Sequence, residues 1–506
     1  MLYSKTLTRT ALCTLLEPLL NHVRPHILSY APIFQFLTGH NLLKLGQQVH
    51  AHMALRGVEP NAFLAAKMVA MYASSGNLNS AMAVFHMISS PTALLYNSIL
   101  RACARYGCFE ITIGIYFRMH SLGVKGDNFT FPFVLKSCAE LSSRWMGKCV
   151  HGQSLRIGFE FDMYVGTSLI DMYVKCGEFA DARKLFDKMT VRDISSWNAL
   201  IAGYMREGEI YVAEDLFRTM PCRNIVSWTA MISGYAQNGL ADQALRVFEM
   251  LKEDSEVKPN WVTIMSVLPA CADSAALEQG RRIHDFANGL GLGSNASVQT
   301  ALVGMYAKCG SLADARQCFD RIGQREKNLV AWNTMITAYT SHGCGMECVW
   351  TFEEMIRAGI QPDNITFIGL LSGCNHSGLV DVGLNYFNCM NTLYSVEPRV
   401  EHYACIVDLL GRAGRLVEAK ELIDKMPMQA GPSVWGALLF ACQSHRNLEI
   451  AEIAARKLFV LEPENSGNYV LLSNMYAEVG MWKEVDNLRA LLKCRGMKKS
   501  PGCSWI

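Results

Sequence analysis

The 18 cysteines and 13 histidines of this 506-residue chain have the widest chemical repertoire of its side chains, so their spacing comes first. A zinc-activated deamination needs a His-x-Glu and a Cys-x-x-Cys to hold the metal and move protons. Neither pattern occurs, and the tightest cysteine pair, Cys344 and Cys348, is four residues apart. His50, His151 and His284 occupy one place in three similar strings, GQQVH at 46–50, GKCVH at 147–151 and GRRIH at 280–284; as one repeat position seen three times they would lie far apart along a solenoid, and no metal cluster is expected from them. There is no Gly-x-Ser-x-Gly elbow and no Walker loop. The expectation is a protein without cofactor or metal, and not an enzyme. Many cysteines also recur at fixed places: Cys103, Cys138, Cys271, Cys374 and Cys442, and again Cys176 and Cys309. They read as small buried apolar residues in a reducing compartment.

Charge excludes little and promises little. Lys plus Arg is 47 against 45 for Asp plus Glu, a net +2 that gives no whole-molecule electrostatic argument for nucleic acid. Half the residues are apolar, 18% are charged and Pro totals 15, which suits helices buried on two sides. No run of 18 apolar residues exists, so no membrane span is expected. Residues 1–26 carry Lys5, Arg9 and Arg24 against one acid, Glu17, as an organellar transit peptide would. A capping helix is the alternative for this segment.

The elements that position these residues show through repetition. TSLIDMYVKCGEFADARKLFD at 167–187 returns as TALVGMYAKCGSLADARQCFD at 300–320, and internal period is the mark of a solenoid. Modules can be marked at 93–127, 128–162, 163–193, 194–224, 225–260, 261–295, 296–328, 329–363, 364–399 and 400–431, with worn copies at 27–61 and 62–92. Trp197, Leu200, Ile201 and Tyr204 fall at helical spacing, and so do Ala213, Leu216, Phe217 and Met220 in the second half of the same module. Gly107, Gly177, Gly208, Gly239 and Gly310 mark the turn between halves. One helical pair cannot bury its own apolar face, so the modules must stack. The expected fold is all-α, a right-handed α-solenoid of helix-turn-helix repeats.

Tyr96-Asn97, Trp197-Asn198, Trp228-Thr229 and Trp332-Asn333 open modules; Lys258-Pro259-Asn260 and Gln361-Pro362-Asp363 close them. With the alternation of standard, long and short copies, these residues resemble the plant pentatricopeptide repeat proteins of the PLS class, over about residues 27–499. PSVWGALLFAC at 432–442 and GNYVLLSNMYAEVGMW at 467–482 resemble the E-type extension, two degenerate helical repeats over 432–499, before a tail at 500–506. KKSPGCSWI at 498–506 leads, in longer relatives, into a cytidine deaminase-like DYW domain, whose motifs this sequence lacks.

The resemblance implies single-stranded RNA as partner, one base read per module by its fifth and last residues. A short carboxamide or hydroxyl can meet a base's Watson–Crick edge, and a neighbouring Asp or Asn can fix its orientation. The pairs are Asn97/Asp127, Thr167/Asp193, Asn198/Asn224, Thr229/Asn260, Thr300/Asn328 and Asn333/Asp363. The family's pattern implies U, G, C or U, A, A and U for them, a target U-n-G-Y-A-n-A-U-n-n. Leu94, Val226 and Val330 would flank bases; Ser195 departs from that pattern, and Pro132, Met265 and Ile368 at fifth positions are assigned no base. Helix capping would account for Thr and Asn at fifth positions, but not, on this reading, for the restriction of the last residue to Asp or Asn. The implied role is site recognition for C-to-U RNA editing in the mitochondrion, or else the chloroplast. A DYW-type deaminase would act in trans, with multiple-organelle editing factors on the long modules. Splicing or transcript stabilisation would use the same groove; a protein-binding helical scaffold is the alternative of another class.

Overall fold

The structure is a computed structural model that describes residues 27–159 and 162–494. The segment 1–26 and the tail 500–506 lie outside the described residues. Among the described residues there are 28 helices and no strand. They divide into two compact units, with the boundary between Asn238 and Gly239. Within each unit, a first helix packs on its own second helix and on the first helix of the next pair, so first helices form a continuous row. This is the expected right-handed α-solenoid.

Module boundaries read from periodicity coincide with helix starts. Ala93–Arg105, Met163–Lys175, Ile194–Arg206, Ala296–Lys308, Leu329–Ser341 and Val400–Arg412 each begin on the first residue of a module. Thr130–Glu140 starts two residues late. The Asp127 carboxylate still accepts the backbone N–H groups of Phe129 and Thr130, as a cap does. Within Ile194–Arg206, Trp197, Leu200 and Ile201 are buried as the spacing predicts, each side chain contributing about 1.5–3 kcal/mol on transfer from water. Met220 lies just past the end of Ile210–Thr219, extended but buried. Pro221 follows it, and the residue before a proline is driven out of helical geometry. Gly208 takes φ 82° at the inter-helix turn, a conformation that a side chain would strain.

The recurring aromatics are core. Trp197, Trp228 and Trp332 are buried and meet Phe186, Phe217 and Phe319 edge-on, with ring centroids 4.7, 5.1 and 4.8 Å apart. Cys103, Cys138, Cys271, Cys374 and Cys442 are buried and free. Burial pushes the Cys138, Cys271, Cys374 and Cys442 thiols up to about 12, so they stay protonated and inert. Cys176 and Cys309 are half-buried.

The GQQVH, GKCVH and GRRIH strings and the Met-Tyr pairs at 71–72, 172–173 and 305–306 prove to be two sides of one contact. His50, His151 and His284 share hydrogen bonds with Tyr72, Tyr173 and Tyr306 at 2.8, 2.7 and 2.9 Å. Four residues before each histidine, Gly46, Gly147 and Gly280 leave room for Met71, Met172 and Met305, whose sulfur atoms lie where a Cβ would be. The second helix of a long module is thereby fitted to the first helix of the following short one.

Candidate nucleic-acid interface

Each module's last residue stands at the start of the next first helix, where backbone N–H groups lack intrahelical partners. Asp193, Asn224, Asn260, Asn328 and Asp363 are the N-caps of Ile194–Arg206, Ile225–Gln237, Trp261–Asp273, Leu329–Ser341 and Asn364–His376. This corrects the sequence argument on capping. The cap duty falls on the last residue, and it accounts for the restriction to Asp or Asn there. The fifth residue sits one turn inside its helix and caps nothing.

Caps are acceptors, because their side-chain oxygen faces helix N–H groups, so the fifth residue must donate to them. Asn97 Nδ2 donates to both carboxylate oxygens of Asp127, at 2.9 and 3.0 Å. Thr167 Oγ1 donates to Asp193 at 2.8 Å, Asn198 Nδ2 to Asn224 Oδ1 at 3.3 Å, and Asn333 Nδ2 to Asp363 at 3.2 Å. Four of the six expected pairs are thus joined. Thr300 is not: its hydroxyl turns back to the Ala296 carbonyl at 2.8 Å, while Asn328 caps Ala331 N–H at 3.0 Å. Thr229 lies on Ile225–Gln237 in the first unit and Asn260 in the second.

Sequence reasoning missed a third participant, the buried hydroxyl three residues after the cap. Thr130, Ser196, Ser227, Thr263 and Thr366 hold this place and are fully buried. At Asn224, Asn260 and Asp363 this residue completes a capping box with the cap's own N–H. The spacing [Asp/Asn]-x-x-[Ser/Thr] was visible in the sequence and would have found it; Asn328-x-x-Ala331 breaks it.

Two clefts open over these pairs. One of about 600 Å³ in the first unit is lined by Thr167, Asn198, Asn224, Ser195 and Val226, with Lys136 and Lys175. Another of about 660 Å³ in the second unit is lined by Asn333, Asp363, Val330 and Ile365, with Lys308. Leu94, Val226 and Val330, at second positions, are exposed at 49%, 55% and 62%. Burial alone would raise the Asp363 carboxyl. Hydrogen bonds from the Thr366 N–H and hydroxyl, Asn333 and the Ile365 N–H outweigh it and hold that carboxyl below the usual carboxylate range. It is ionised at neutral pH and can only accept. Among the described residues, no three His, Cys, Asp or Glu side chains are grouped to hold a metal, and no helix is long and apolar enough to cross a membrane.

Models of the pentatricopeptide repeat match residues 95–124, 167–194, 195–225 and 401–429, a second repeat model matches 223–273 and 327–376, and an E motif model matches 445–506. The Arabidopsis thaliana pentatricopeptide repeat-containing protein At5g56310 is 42% identical over 92% of this chain and 88% of its own length. The chain belongs to the pentatricopeptide repeat family. Another Arabidopsis thaliana member, CRR2, chloroplastic, is 40% identical, across 91% of this chain and 66% of that protein. A third, At3g11460, putative and mitochondrial, is 36% identical, across 95% of this chain and 72% of its own length. Among solved structures, that of maize pentatricopeptide repeat protein PPR10 superposes with a TM-score of 0.60 at 18% identity, covering 94% of this chain and 75% of that one. That likeness supports the fold.

Proposed function

We propose that this pentatricopeptide repeat protein binds single-stranded RNA in an organelle, reading one base at each of six modules through the paired fifth and last residues. The assignment is U at Asn97/Asp127, G at Thr167/Asp193, C or U at Asn198/Asn224, A at Thr229/Asn260, A at Thr300/Asn328 and U at Asn333/Asp363. What carries the reading is that fifth residues are oriented by caps inside clefts big enough for a base. The chemistry agrees with the assignments. Thr167 spends its proton on Asp193 and Thr300 spends its proton on Ala296, so each hydroxyl can only accept, which suits the amino and imino donors of guanine and the amino group of adenine. The asparagines keep an N–H for a pyrimidine carbonyl. Binding of the ten-nucleotide RNA and its single-base variants tests this: the greatest penalties are expected at the G and A positions, and equal affinity for scrambled RNAs would overturn it.

The repeats are assigned to 27–431 and the E-type extension to 432–499, preceded by a targeting segment at 1–26 and followed by the tail 500–506. Relatives named chloroplastic and mitochondrial support an organelle, and the mitochondrion is our choice. The proposed role is recognition of a C-to-U editing site a few nucleotides downstream of the bound RNA, with a DYW-type deaminase in trans and multiple-organelle editing factors on the long modules. The E motif match supports this role. Comparing organellar transcripts with and without the gene tests it. One or more sites losing editing is the expected result; unchanged editing with altered introns or transcript ends would move the role to splicing or stability.

A further inference from the structure

At Asn97 and Asn333 the carboxamide is tied at both ends. The amide nitrogen donates to the cap carboxylate, and the carbonyl receives a hydrogen bond of 2.7 Å from the hydroxyl three residues beyond the cap, Thr130 for Asn97 and Thr366 for Asn333. Each hydroxyl in turn accepts the cap's own N–H, Asp127 at 3.0 Å and Asp363 at 3.1 Å, so its one proton is committed to the oxygens on its other side. It shares that proton with the cap carboxylate, at 3.0 and 2.8 Å. Both threonines are fully buried, and no solvent competes for the proton. Turning either amide over would break bonds at both ends. With the carbonyl held on the buried threonine, the second amide N–H is left uncommitted, and it is a donor.

Asn198 differs. Ser227 stands where the threonines stand, but its hydroxyl donates to the cap, Asn224 Oδ1, at 3.1 Å. Asn198 Oδ1 is left buried with no partner, in a side chain only 8% exposed. The amide is held by a single bond of 3.3 Å. A buried acceptor without a donor is an unmet demand, and turning it toward a ligand's N–H loses no hydrogen bond at the oxygen.

We propose that the third residue of the following module is a specificity-determining position: Thr130 and Thr366 lock Asn97 and Asn333 as donors that select uracil over cytosine, while Ser227 leaves Asn198 able to accept either. The inference rests on the base-reading function proposed above. Uracil carries a carbonyl at C4 where cytosine carries an amino group. A donor-locked amide therefore meets an acceptor in one base and a second donor in the other, whereas an amide that can turn over suits both.

The test uses the full chain and ten-nucleotide RNAs with U or C at the eighth base, opposite Asn333, or at the fourth, opposite Asn198. Thr366→Val keeps the shape and removes the hydroxyl. It is expected to lower the U-over-C affinity ratio at the eighth base about tenfold, the scale of one hydrogen bond, while discrimination at the third base stays unchanged. Thr366→Ser, the residue type found at 227, is expected to lower the ratio in the same direction. Ser227→Thr is the gain-of-function arm, expected to create a preference for U at the fourth base without touching the Asp363 cap. A wild-type protein indifferent to every base would overturn base reading and this inference together. A selective wild type whose ratios survive both Thr366→Val and Ser227→Thr would overturn this inference alone. Equal weakening toward U and C RNAs on Thr366→Val would mark a capping contact and nothing more.

Discussion

Asp363 caps a helix and orients Asn333 with the same carboxylate oxygen, Oδ1, and substitution can separate the two duties. Asp363→Asn keeps an acceptor at the cap and should unfold within about 0.5 kcal/mol of the native protein, whereas Asp363→Ala should cost about 0.5–2 kcal/mol. The Asn variant shares its last residue with the Asn198/Asn224 pair but keeps Thr366 and its bond to the Asn333 carbonyl, so its preference for U at the eighth base should persist. Chemical denaturation and RNA binding on the same variants measure both, and an Asn variant as unstable as the Ala variant would refute the cap. A second residue-scale effect concerns pH. His402 is fully buried, accepts the Arg399 N–H on Nδ1 at 2.9 Å and meets the Asn364 carbonyl through Nε2 at 3.0 Å. A proton on Nδ1 would face another donor. Burial lowers the His402 value, as it does for His284 and His50. The unfolded chain, with histidines near 6.5, therefore binds more protons in the window below that pH, and stability falls as pH falls through it. Melting temperature should drop on acidification from pH 7 toward 5.5. His402→Gln should be weaker at pH 7 yet show a shallower drop; an unchanged slope would exclude this imidazole as a contributor.

At several helix contacts a glycine stands where a Cβ would meet the neighbouring helix, and the cost of filling that space depends on what lies opposite. A Cβ on Gly203 would run into Val174, a branched side chain with little rotamer freedom. A Cβ on Gly280 would meet only the far end of Met305, which can swing aside. Gly203→Ala should then cost about 1–3 kcal/mol and Gly280→Ala clearly less, with Val174→Ala relieving the first. Urea unfolding gives the order, and a reversed order would contradict the packing described. At the same scale, Trp228→Ala should cost about 3–5 kcal/mol, since it empties the space against Phe217. Helix limits and core aromatics were legible in the sequence because they follow from local period: Trp197, Leu200 and Ile201 could be placed inward from spacing alone. What escaped it was tertiary. His284 meets Tyr306 across two helices, Thr366 meets Asn333 from the next module, and Thr300 turns to its own helix although its residue type matches that of Thr167. No one-dimensional pattern carries the direction of a hydroxyl, so the fifth and last positions could be picked out while the bonds between them could not.

Over the whole chain, positive and negative side chains nearly cancel, 47 against 45, and the clefts repeat that balance locally. Of the lysines lining them, Lys175 is already paired with Glu140 at 2.8 Å and Asp171 at 3.3 Å, and Lys308 with Asp273 at 3.0 Å. An RNA held there would draw affinity mainly from oriented polar groups and exposed apolar side chains such as Val330, and little from released counterions. Single-stranded nucleic acid contributes a slope of about −0.7 in log K against log salt for each phosphate neutralised. Even if Lys136, Lys175 and Lys308 each neutralised one phosphate, the slope would reach only about −2. Titrations of the matched ten-nucleotide RNA between low and physiological salt should therefore give a slope no steeper than that, while the affinity ratio between matched and mismatched RNA stays constant, because both lose the same phosphate contacts. A slope several times steeper, with a ratio that collapses as salt rises, would mean that backbone charge elsewhere on the protein holds the RNA and that the paired polar residues do not read it.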